Sequence, residues 1–465
     1  MVFPTIQFAI FFVVVLALNW ALMPYPRVWK PFILVASAIF YGAASWSWVA
    51  LLAGVILANQ AAAVLVARAA GARARTWIVA VAVAADLGLL GLFKYYDFFV
   101  QDVAALLDDV GLGTSLPLLS LALPVGISFF VFQAISYVVD VKRGLLPPAR
   151  TVDLAIYLSF FPHLVAGPIV RAREFLPQLR TPRDPRDVAV GAGVVLIAIG
   201  LVKKVAIADY LAREVVDPVF AVPELYHAPD VALAALAYTA QIYCDFSGYT
   251  DMAIGLALLM GFVFPQNFAS PYRSGSVREF WRRWHITLSR YLRDFLYIPL
   301  GGNRGGTART IRNLMITMTL GGLWHGAAWT FVLWGALHGA ALSAEHLLGP
   351  ARIARVPAVL RWLIVFALVV FGWILFRSPD LDVAGAFLGQ LGDVGPATLV
   401  TPVAVGLVLL VIGGQLLPPR PLDALRLRVE GLRVPALAVG LAATVLVVGA
   451  TVPSKGVPPF IYFQF

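Results

Sequence analysis

Continuous apolar segments of 13 to 23 residues follow one another along nearly the whole chain. A bilayer span takes about 20 apolar residues, and backbone polar groups in hydrocarbon must be satisfied within the segment. The runs are unbroken rather than alternating, so the pattern reads as helices and not as barrel strands. The segments are Thr5–Met23, Phe32–Ala44, Val49–Ala67, Trp77–Phe93, Pro117–Val139, Val188–Val202, Val231–Tyr243 and Met252–Phe264, followed by Ile311–Leu323, Ala327–Leu347, Val359–Phe376, Val400–Leu416 and Val434–Val452. Several are too short to cross upright, so roughly 10 to 12 crossings with re-entrant pieces are expected. Thr5–Met23 is expected to stay as the first span rather than be removed as a leader.

A soluble domain is about a quarter charged, whereas this chain is 13% charged and 60% apolar. Its net charge of +10 is spread over short connections. That is the distribution the positive-inside rule produces, and no nucleic-acid motif accompanies it. Arg27 and Lys30 place the first loop in the cytoplasm and the N-terminus outside. Arg68, Arg73 and Arg75, then Lys142, Arg143 and Arg150, keep the count consistent. Thr151–Arg180, broken by Pro162, Gly167 and Pro168 and flanked by basic residues, reads as a re-entrant piece or a kinked span. Lys203 and Lys204 fit neither side. Leu417–Arg433 reads as a basic amphipathic connection at the cytoplasmic surface. One membrane domain over residues 1–465 is the simplest organisation, with its motif core at 241–339.

Within that core, REFWRRWHITLSRYLRDFLYIPLGGNR concentrates polar chemistry in an apolar chain. Read as one helix, Arg278, Arg282, His285 and Ser289 share a face, and Phe280, Trp284, Tyr291 and Phe295 share another. Guanidinium groups suit phosphate, so this helix is a candidate phosphate-binding site or, more plainly, an interfacial helix with snorkelling arginines. His325 stands among Gly321, Gly322 and Gly326, which would let a ligand or another backbone come close. An imidazole there could act as general base, or be a satisfied core residue. Asp245, Ser247 and Asp251 interrupt an apolar stretch, and the two carboxylates are expected to pair with the nearby arginines. His163, His227, His338 and His346 read as structural or surface residues. HExxH, zinc spacings, the G-x-S-x-G elbow, the Walker A loop and the Rossmann fingerprint are all missing, so no bound metal is expected and hydrolase and dehydrogenase readings are weak.

The stretches FPHLVAGPIVR, YCDFSGYTDMAIGLALLMGFVFPQNFASPYRS, EFWRRWHITLSRYLRDFLYIPLGGNR and GGLWHGAAWTFVLWGALHG, with the aromatic FIYFQF, resemble the membrane-bound O-acyltransferase family, and within it the alginate O-acetyltransferase branch. The resemblance implies an all-α integral membrane protein, a ring of tilted helices around a central tunnel. His325 would match the family's invariant histidine and His285 its second one. It implies donor binding near Arg278, Trp281, Arg282, Arg283, Trp284 and Ser289, with Asp245, Ser247, Asp251, Asn303 and Trp324 in support. The donor would be acetyl-CoA or an acyl-carrier thioester, with no tightly bound cofactor. Tyr462 would be a candidate acyl carrier. A separate extracytoplasmic esterase-like transferase of the SGNH type would deliver the acetyl group to a polysaccharide, from a cytoplasmic-membrane enzyme in contact with lipid. D-alanyl transfer, a flippase for an acylated carrier and a silent scaffold remain the competing readings.

Overall fold

The computed structural model describes residues 1, 3–113, 116–418, 424, 427–451 and 460–461. Among these there is no strand. The chain packs as two units, Met1–Ala189 with Leu256–Phe264, and Val190–Gly255 with Pro265–Phe465.

In the first unit, helices Ile6–Leu22, Pro26–Gly42, Trp46–Arg68 and Ala72–Lys94 follow one another through short turns. Thr5 caps the first by accepting from Phe8 N at 3.2 Å, and Pro26 opens the second where its missing N–H costs nothing. Their outer faces are apolar and open, as at Ile6, Ile10, Val13, Trp77 and Val81. The inner faces carry polar pins instead. Trp29 Nε1 donates to Asn19 Oδ1 at 2.9 Å, Trp20 Nε1 to the Leu259 carbonyl at 3.0 Å, and Asn59 Nδ2 to Asp86 Oδ1 at 3.0 Å. This inside-out distribution suits a hydrocarbon solvent.

The sequence predicts a span over Pro117–Val139, but the helix begins only at Ile127. Residues 116–124 are held as a loop: Asp97 accepts from Leu119 N and Ser120 N, and Tyr96 donates to the Pro117 carbonyl. Pro117 and Pro124 lack the N–H a helix would use. The Thr151–Arg180 stretch breaks into helix Thr151–Ser159, one turn at Phe161–Leu164 and one turn at Ala172–Phe175. Most of its irregular backbone is buried, with Tyr157 donating to the Val170 carbonyl and His163 Nε2 bonded to the Tyr157 carbonyl. Non-helical backbone of this kind is tolerated at membrane depth only inside protein.

In the second unit, Val190–Ala221 is one long apolar helix with two π-helical stretches, Val202–Ala208 and Ala212–Val216. The predicted segments Val231–Tyr243 and Met252–Phe264 are not separate spans. A single 32-residue helix, Ala228–Leu259, runs through most of both, its last turn from Leu256 belonging to the first unit. The two carboxylates between them, Asp245 and Asp251, are paired with lysines, as described below, and the helix continues through them.

Helices Thr307–His325 and Trp329–Arg355 cross closely. A Cβ at Gly322 would stand 2.2 Å from the Phe331 carbonyl oxygen, and one at Gly335 2.4 Å from that of Met318. Here the glycines admit a backbone, as small residues do in membrane helix pairs. Four helices of the described residues are long and apolar enough to cross a membrane, and three shorter ones are apolar.

Candidate functional site

The single helix predicted over Arg278–Ser289 is two helices, Val277–Arg283 and Ile286–Leu292, broken at Trp284 and His285. The cause is Asn267, eighteen residues upstream of His285. Its carbonyl oxygen accepts from Ile286 N at 2.9 Å. Its side-chain Oδ1 accepts from Thr287 N at 3.1 Å, from Thr287 Oγ1 at 2.9 Å and from His285 Nδ1 at 3.1 Å. The second helix is therefore capped from outside, which leaves His285 in the left-handed region at φ 41° and ψ 57°. A backbone N–H can only donate, so the Asn267 atom facing Thr287 is oxygen and His285 Nδ1 carries the hydrogen. Nε2 then holds a lone pair, fully buried and without a hydrogen-bond partner among the described residues. The ring lies 4.6 Å from Phe246 and 6.3 Å from Trp324.

Left-handed backbone costs a Cβ-bearing residue about 1–2 kcal/mol. H285A and H285G both lose the imidazole, but only alanine keeps that strain. H285G is expected to be the more stable of the two by about 1 kcal/mol in melting of the purified protein. The reverse order would show that φ relaxes freely at this position.

The break still leaves much of the predicted basic face on one surface. Arg278, Trp281, Arg282 and Ser289, together with Arg290 and Arg293, line a cavity of about 860 Å³ whose wall also includes Asn303, Arg304, Thr317 and His346. Of the five arginines there, Arg293 pairs with Asp294 at 2.7 Å. Arg278, Arg282, Arg290 and Arg304 have no carboxylate partner among the described residues. The loop carrying Asn303 is pinned by Asn313 Nδ2, which donates to the Gly302 carbonyl at 2.9 Å. Arg283 and Trp284, expected with the others, lie elsewhere. Arg283 bonds Glu279 and the Ala269 carbonyl. Trp284 is buried against Phe268, Phe280 and Trp373. His346, read from sequence as structural or surface, lines the cavity.

His325 is the last residue of its helix and 3% exposed. Trp324, Trp334 and Phe376 wall its ring at 5.0, 5.1 and 5.1 Å. Trp324 thus adjoins both imidazoles. Trp281 lines the cavity and lies 5.7 Å from Trp334, so aromatic rings run continuously from the arginines to His325.

Asp245 and Asp251 do not pair with the arginines as the sequence suggests. Lys204, 2% exposed, lies 2.5 Å from Asp245 and 2.6 Å from Asp209, and Lys203 lies 2.7 Å from Asp251. The wide π-helical turn at Val202–Ala208 sets two adjacent lysines against carboxylates six positions apart on the neighbouring helix. Ser247 is buried between them on that helix. Asp245 Oδ2 also accepts from Ile461 N at 3.0 Å, and the Phe460 ring packs on Tyr249 and Phe246 at 4.6 and 5.5 Å. Tyr462 itself lies outside the described residues.

The family model of the membrane-bound O-acyltransferases matches residues 145–378. A probable alginate O-acetylase of Pseudomonas syringae pv. tomato is 47% identical over 78% of this chain and 70% of its own length. A peptidoglycan O-acetyltransferase of Helicobacter pylori is 37% identical, over 77% and 72%. A teichoic acid D-alanyltransferase of Bacillus subtilis is 26% identical, over 54% and 68%.

Proposed function

The chain belongs to the membrane-bound O-acyltransferase family and is an integral-membrane acyltransferase, and on that premise we propose that it moves an acetyl group from a cytoplasmic thioester across the cell membrane for O-acetylation of an extracytoplasmic polysaccharide. The observation that carries this reading is the arginine-lined cavity joined through Trp281 and Trp334 to His325. Four arginines without carboxylate partners suit the phosphates of acetyl-CoA or of a carrier's prosthetic arm.

His325 serves as general base. It takes the proton of the acceptor hydroxyl as that oxygen attacks the thioester carbonyl. The C–S bond then breaks, the proton passes to the leaving thiolate, and the acetyl group remains as an oxygen ester. His285, with Nδ1 donating to Asn267, offers a lone pair on Nε2. That suits receiving or relaying a proton and does not suit holding a carbonyl oxygen. Tyr462 would carry the acetyl group outward, and an SGNH-type partner would place it on an alginate-like or cell-wall polymer, in keeping with the names of the relatives at 47% and 37% identity. Acetyl is preferred over D-alanyl because the D-alanyltransferase relative stands at 26%.

The test is transfer of radiolabel from acetyl-CoA, and separately from an acetylated carrier protein, in proteoliposomes. R278Q/R282Q is expected to raise the donor KM about tenfold with kcat little changed, as loss of uniform binding does. No transfer from either thioester by folded wild-type protein would overturn the reading. Label crossing the membrane still on its original carrier would replace it with a flippase.

A further inference from the structure

The first unit holds a second basic cavity, of about 600 Å³, lined by Lys30, Arg150, Asp153, Arg173 and Arg180. Lys30 is neutralised by Asp153. Arg150, Arg173 and Arg180 have no carboxylate partner among the described residues, so the cavity keeps three uncompensated positive charges. Glu174, the nearest other acid in sequence, is occupied by its own turn, accepting from Arg171 N at 3.2 Å.

The backbone that carries these arginines is pinned. Ala149 N donates to Tyr137 Oη at 2.9 Å, Gln60 Nε2 donates to the Ala149 carbonyl at 2.8 Å, and Tyr137 Oη donates to Gln60 Oε1 at 3.0 Å. This closed ring fixes the residue before Arg150. Between Arg173 and Arg180, Gln178 Nε2 donates to the carbonyls of Glu174 and Val263, both at 2.9 Å, and its Oε1 accepts from Val263 N. Like charges on a fixed frame repel one another unless an anion binds between them. The rest of the wall is apolar, with Leu145, Pro147, Leu176 and Pro177, and Leu145 is half exposed.

We propose that this cavity is a binding site for a phosphate ester, held by Arg150, Arg173 and Arg180, with the apolar wall beside it taking the carbon skeleton. Planar guanidinium groups hold phosphate oxygens in pairs. Basic pockets of membrane proteins take anionic headgroups in this way. A phospholipid headgroup and a soluble phosphate share that chemistry, and the experiment separates them.

Wild type and R150Q/R173Q/R180Q, purified in detergent, are titrated with phosphatidylglycerol and with phosphatidylcholine, and retained lipid is counted by native mass spectrometry. Inorganic phosphate is titrated against both proteins without lipid. Wild type is expected to hold phosphatidylglycerol about tenfold more tightly than the variant, with phosphatidylcholine retained equally by both. A phosphate affinity lost in the variant with no difference in phosphatidylglycerol would assign the site to a soluble phosphate ester. No difference with either probe would overturn the proposal. R173Q alone, at an exposed position, carries the same comparison if the triple variant loses its fold. None of these readouts depends on acyl transfer.

Discussion

H325A is expected to lower acetyl transfer by about 10²- to 10⁴-fold, the range a positioned general base contributes. The loss should fall on kcat, because His325 is walled by Trp324, Trp334 and Phe376 and does not line the arginine cavity. Alanine also leaves a void among those rings, so H325N, closer in volume, is the control for packing. Both variants should elute as monodisperse protein and bind donor with a KM near wild type. A folded H325N with full kcat would remove His325 from the chemistry.

K204M is expected to be the most damaging single change to stability among the buried charges, by about 3–5 kcal/mol, the cost of leaving buried charge without its partner. Methionine matches the lysine stem but leaves the carboxylates of Asp209 and Asp245 facing each other without the cation that lies 2.6 and 2.5 Å from them in the native protein. One of them must then take up a proton or draw in water. K204M/D209N should regain a substantial part of the loss, because the remaining carboxylate at Asp245 still accepts from Ile461 N. Thermal melting in detergent checks both. K204M melting with wild type would show that the cluster is not limiting for stability.

What the sequence made legible was chemistry and hydropathy. The apolar runs located most helices, and of the residues picked out for the donor site Arg278, Arg282, Trp281, Ser289 and Asn303 meet in one cavity. The helix break at His285 was not legible, because the residue that imposes it is an asparagine side chain eighteen positions away and no glycine or proline marks the place. The continuity of Ala228–Leu259 was hidden for a related reason. Asp245, Gly248 and Asp251 read as an interruption until their partners are known. The carboxylates meet Lys204 and Lys203, and a Cβ at Gly248 would stand 2.8 Å from the Gly200 carbonyl, so this glycine serves helix contact rather than a turn. Neither lysine had an assignment in the sequence, because Asp245 and Asp251, which they meet, lie more than forty positions away on another helix.

The rings around the two histidines carry one more consequence. Trp284, Trp373, Trp334 and Trp281 form an unbroken series at 4.8, 6.0 and 5.7 Å, and Trp324 touches both imidazoles. Five of the chain's twelve tryptophans therefore share one excited-state neighbourhood. Energy absorbed anywhere in that series can pass to the indoles beside His325. The protein's own fluorescence is thus a reporter built into the site: donor entering past Trp281 should change its intensity and spectral maximum, and W281F should remove much of that response.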